Sequence, residues 1–136
     1  MTITGSSVSL EEGLRIAEAA HRSAREAGIA VAVVVLDAGG NPTCTTRMDG
    51  APLMAMVMAE GKAYTAVGMG VDTSVWEQVG SDQPSFSGGI TSVPRFTPFG
   101  GGLPLTVDGV LVGSVGVSGG TVEQDNSIVN DAAKAL

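Results

Sequence analysis

Between Val110 and Asp125 the chain has few ways to fold. Val110 to Val117 clusters β-branched residues as a buried strand does. Ser118-Gly119-Gly120 then supplies φ > 0 conformations that other residues reach only at a cost. Thr121 follows as an N-cap, with Gln124 three residues on, in a T-x-x-Q capping box. A strand therefore turns tightly into a helix start. The first N–H groups of such a helix point outward, where the dipole favours negative charge, so Gly119, Gly120 and Thr121 are candidate anion contacts. The plainer alternative is a joint whose N–H groups meet water or side chains.

Ser9-Leu-Glu-Glu12 is a second capping box, opening an amphipathic helix that ends near Gly28. Its apolar arc is mostly alanine, and the one polar residue on that side is His21, in a direction between Leu10 and Leu14. Ile29 to Leu36 reads as a strand buried on both faces. Asp37 to Pro42 is a turn, and Thr43 to Met48 completes a hairpin. Residues 52–67 predict a helix apolar around much of its circumference, covered by a sheet on one side and by something else, such as a second subunit, on the other. Its methionines suit either an adaptable ligand wall or simple core filling. A short helix over residues 73–79 and a long irregular stretch over 81–102, with Phe86, Phe96 and Phe99, come next; loops of that length often line sites. Asp108-Gly109 marks a second hairpin before the last helix, 122–135. This order predicts one α+β domain, residues 1–136, with a mostly antiparallel sheet.

A formal charge of −7 excludes the usual electrostatics of nucleic-acid binding and disfavours acidic membranes. Arg15, Arg22 and Arg25 share one helix face and Lys134 lies near the C-terminus, leaving Arg47, Lys62 and Arg95 as cations available to a pocket. The single cysteine, Cys44, forms no internal disulfide, and no Cys/His spacing suggests zinc. With no visible signal peptide and no apolar run of transmembrane length, the expected location is the cytoplasm.

The segments Val35-Leu-Asp-Ala-Gly-Gly40, Arg47-Met-Asp-Gly-Ala51, Lys62-Ala-Tyr-Thr-Ala66, Gly101-Gly-Leu-Pro104 and Gly113 through Asp125 recur in order along nearly the whole chain. Together they resemble the GlcG/HbpS-like family, which also forms the C-terminal domain of PduO-type proteins. The resemblance implies a profilin-like α+β fold with a central antiparallel sheet and packed helices, assembly into dimers or larger homo-oligomers, and haem binding in some members. It also makes His21, on the first helix, a possible axial ligand to haem iron, with Tyr64, Cys44 and the methionines as reserve ligands. The competing reading of His21 is a packed interface residue.

Three functions stay open at this level. The leading one is a small-ligand binder whose ligand is haem or a related tetrapyrrole. The second is a cofactor-free enzyme or binder for a small carboxylate-containing metabolite: Arg47 would clamp the carboxylate, the glycine turn would add N–H contacts, and Asp37, Asp49, Glu60 or Glu123 would act as base. Each acid has a plainer role: Asp37 and Asp49 as turn acceptors, Glu60 as a solvated helix charge like Lys62, and Glu123 as a first-turn dipole partner. The third is an oligomeric accessory protein without its own ligand. Ligand contacts are expected at Arg47, Lys62, Tyr64, Phe99, Gly101, Gly119, Gly120 and Thr121, with the glycine turn, Arg47 and the 94–102 segment meeting at one pocket.

Overall fold

In the computed structural model, which describes residues 1–136, both capping boxes form. Ser9 Oγ accepts from the Glu12 N–H at 3.2 Å, and the Glu12 carboxylate accepts from the Ser9 N–H at 2.8 Å, opening helix α1 (Leu10–Glu26). Those bonds, the backbone one foremost, hold the Glu12 carboxyl below its ordinary range. Thr121 and Gln124 exchange the equivalent pair at 3.1 and 2.9 Å to start α5 (Val122–Ala133).

The strands β1 (Ala32–Asp37), β2 (Pro42–Arg47), β3 (Gly102–Val107) and β4 (Val110–Ser118) form one sheet in the order β2-β1-β4-β3. Every neighbouring pair is antiparallel. Central β1 is buried on both faces, as its unbroken apolar sequence predicts. Val33 and Val35 pack with α1 and α5, whereas Ala32, Val34 and Leu36 pack against Ala55, Ala59 and Ala63 of α2 (Leu53–Met69). The sheet is thus sandwiched between α1 and α5 on one side and α2 on the other, the α+β arrangement that the resemblance implies.

Small residues set the α2 spacing. A Cβ on Gly116 of β4 would collide with the Ala59 carbonyl and with Ala63, so the helix lies directly on the strand. Ser114, two residues earlier on the same face, donates to the Ala63 carbonyl at 2.6 Å.

One expectation is corrected. Much of the stretch read as an irregular loop is helical: α3 (Val75–Asp82), α4 (Pro84–Gly89) and a 3-10 turn (Ile90–Ser92). Pro84 takes the first helical turn, where its missing N–H costs nothing. Trp76 stacks on Phe86 at 5.6 Å and meets Phe96 edge-on at 5.3 Å, so long-range ring packing holds these short elements together.

Candidate functional site

Lys62 lies in the middle of α2, between Gly61 and Ala63, on a helix with little polar surface to receive it. Its ammonium is driven inward and is only 1% exposed. There it donates to Asp125 Oδ2 at 2.8 Å and to the Val117 carbonyl at 3.0 Å. Asp125, 3% exposed in the first turn of α5, also accepts the Gly120 N–H through Oδ1 at 2.9 Å. One carboxylate therefore ties the glycine turn to the helix on the opposite face of the sheet. Burying two charges is tolerable only with this closeness and these additional hydrogen bonds. Gly101, at φ +115°, passes over the pair: a Cβ there would stand 3.0 Å from Lys62 Nζ and 2.7 Å from the Val117 carbonyl.

A cavity of about 360 Å³ opens at this junction. Lys62, Asp125, Ser118, Gly119 and Gly120 make its polar end; Pro52, Met54, Met58, Phe99 and Val122 form much of the apolar remainder. Phe99 is placed by the preceding segment, which α2 anchors. Thr65 Oγ1 accepts the Thr97 N–H at 2.8 Å, and Arg95 lies 3.7 Å from the Tyr64 ring centroid while bonding Glu60 at 3.1 Å. Thr73 accepts the Gly102 N–H at 2.8 Å and fixes the other end of the segment.

The structure brings Lys62, Phe99, Gly119 and Gly120 together at this cavity, with Gly101 packed behind Lys62. Lys62 is a buried ion-pair partner, which corrects its reading as a solvated helix charge. Arg47 is not part of the lining: it is exposed and donates to the Ala51 carbonyl at 3.2 Å, so the expected three-way meeting reduces to the glycine turn and Phe99. Tyr64 faces Arg95 and lines a separate hollow with Met69 and Phe96. Thr121 is engaged in its cap.

Among the acids, Asp37 accepts the Gly39 and Asn41 N–H groups at 2.9 Å, a turn role. Glu60 pairs with Arg95 at the surface. Asp49 and Glu123 are exposed and outside the cavity. Asp125 escaped the sequence reading, although its place four residues after an N-cap puts it where it can reach back to the glycine turn.

His21 is elsewhere. It projects from α1 toward edge strand β2, with Nε2 2.7 Å from Thr46 Oγ1, on the opposite side of the sheet from α2. Burial, then the nearby Arg25 charge, pulls its pKa below 6.5 against the opposing effect of Glu18. Leu10 and Leu14, both earlier than His21 on the same stripe of α1, are more than half exposed. Cys44 is buried and its thiol pKa is pushed up by that burial, so it is a poor thiolate donor.

With this geometry in hand, comparison with known proteins places the chain. The family profile described as haem degrading protein HbpS-like matches residues 8–134. An uncharacterized 15.0 kDa protein from the dhaT-dhaS intergenic region of Citrobacter freundii is 35% identical over 92% of this chain and 89% of its own. The corrinoid adenosyltransferase PduO of Citrobacter freundii is 37% identical over 96% of this chain, which spans only 39% of that longer protein. The solved structure of a PduOC–haem complex superposes with a TM-score of 0.87 at 34% identity, covering 96% of this chain and 95% of the other. No helix here is long and apolar enough to cross a membrane. Two capping boxes, a four-stranded antiparallel sheet between helical layers and a profile match across nearly the whole length agree: this chain belongs to the HbpS-like family.

Proposed function

We propose that this protein binds haem, with His21 as the axial ligand. The observation that carries the reading is the state of His21: a half-buried imidazole biased toward its neutral, metal-binding form, on a stripe with two exposed leucines. The haem-bound relative at 34% identity supports the haem part of this reading, independently of His21. The residues fit the group chemically. Thr46 engages Nε2 and orients the ring, which leaves Nδ1 as the nitrogen free to ligate unless Thr46 releases Nε2, and Leu10 and Leu14 offer apolar surface to a macrocycle. Bound haem supplies a redox-active iron; the chain supplies the imidazole, its orientation and a partly dry surface.

None of the cavities includes His21, so a ligand at α1 needs a further cover. We infer that a second copy of the chain provides it and that the protein is a homo-oligomer. The outward face of α2 supports oligomerisation: Leu53 is 82% and Val57 63% exposed. The single cysteine, free and buried, accords with a cytoplasmic setting.

Titration of the purified protein with haemin tests the haem assignment. Wild type is expected to shift the Soret band saturably, and His21→Ala to abolish the shift while leaving the circular dichroism spectrum unchanged. Absence of a Soret shift, or an unchanged one in His21→Ala, overturns His21 ligation.

A further inference from the structure

We propose that the cavity between α2, the end of β4 and the start of α5 is a second binding site, one that takes a small monocarboxylate with an apolar body. This goes beyond haem binding and uses residues at the end of the sheet beside α2, none of them His21.

The polar end of the cavity has hydrogen-bond donors to spare. An ammonium carries three N–H bonds, and Lys62 spends two, on Asp125 and Val117, while lining the cavity. Ser118 is 4% exposed, lines the same space and has no hydrogen-bond partner for its hydroxyl within the protein. Strand alternation puts Ser118 on the α2 face, with Ser114 and Gly116, which explains its direction. Ser114 meets an α2 carbonyl, whereas Ser118 lies beyond the close approach of helix and strand and faces open volume. At the adjoining first turn of α5, the Val122 and Glu123 N–H groups have no internal acceptor.

Each Asp125 oxygen holds a donor, and Asp125 and Lys62 cancel in charge. An incoming carboxylate therefore meets a neutralised pair, free donors and the positive end of a helix dipole. Its two oxygens offer enough lone pairs for Lys62, Ser118 and a backbone N–H together, more than a single carbonyl does. The walls of Met54, Met58 and Phe99 suit an apolar body, and a volume near 360 Å³ accommodates one ring.

Benzoate is the probe. Titrated into the full-length protein and followed by amide and methionine-methyl NMR, it is expected to give saturable shifts at residues 118–123 and at Met54 and Met58. The Ser118 hydroxyl bonds nothing in the protein, so Ser118→Ala should fold as wild type and weaken benzoate about tenfold. Benzamide, the neutral isostere, should bind at least as weakly to wild type. Shifts that do not saturate, that fall elsewhere, or that persist undiminished in folded Ser118→Ala overturn the site; benzamide binding equal to benzoate overturns the carboxylate assignment. Benzoate should bind His21→Ala as it binds wild type and should leave the haemin Soret titration unchanged. Competition with haemin would overturn the separateness of the two sites, whereas failure of haemin to bind leaves the benzoate result standing.

Discussion

Lys62 and Asp125 show how much one residue pair decides. Lys62→Met leaves the Asp125 carboxylate buried with only the Gly120 N–H, and removing one partner of such a pair costs about 3–5 kcal/mol. Adding Asp125→Leu should recover part of that loss, because two apolar side chains leave no stranded charge. Urea unfolding of the two variants checks the order: a double variant less stable than Lys62→Met would contradict it. This pair was only half legible in the sequence. A lysine between glycine and alanine on a helix apolar around much of its circumference has little polar surface to reach, and that much signals an internal partner. Which carboxylate answers it depends on a contact spanning 63 residues, set by how α2 lies across β4. His21 gives a second test. Its folded pKa lies below the ordinary 6.5, so the unfolded chain takes up the proton more readily. Its contribution to stability is fully present above pH 6.5 and is lost as pH falls through the lowered folded value. The lone histidine gives a clean imidazole resonance, and NMR titration should place its midpoint below 6.5.

At the scale of elements, local chemistry was the readable part. The capping boxes at Ser9 and Thr121 are exchanges within four residues, so the sequence alone specifies them. The double-sided burial of β1 is likewise written in its uninterrupted valines. Residues 84–92 were harder, because serine, glycine and proline disfavour a helix and the rings that stabilise it come from Trp76 and Phe96. Gly116 carries an element-level prediction. Gly116→Ala forces α2 off β4 and should cost about 1–3 kcal/mol, read as a lowered midpoint in chemical denaturation. An unchanged midpoint would mean that the helix shifts without penalty.

Across the whole molecule, apolar surface remains on both sides of the sandwich: Leu10 and Leu14 of α1 on one, Leu53 and Val57 of α2 on the other. The sequence of residues 52–67 shows the second of these surfaces, since a helix apolar around much of its circumference needs two covers. If α2 meets a second copy, Val57→Glu should reduce the mass seen by light scattering without altering secondary structure. A wild-type mass of 13.6 kDa would instead establish a monomer. The placement of Arg47 and His21 outside the cavity was beyond sequence reasoning, because it follows from which face of the sheet each element packs on.

Phe99 and Val122 line both the cavity above Lys62 and a neighbouring one of about 360 Å³ that contains Trp76 and Phe86. The two chambers therefore share a wall, and Phe99, half exposed, is its larger side chain. A molecule that presses this ring toward one chamber changes the room in the other. Two guests that both press on Phe99 would be coupled through it, and any such coupling is reciprocal: whatever the first does to the affinity of the second, the second does to the first.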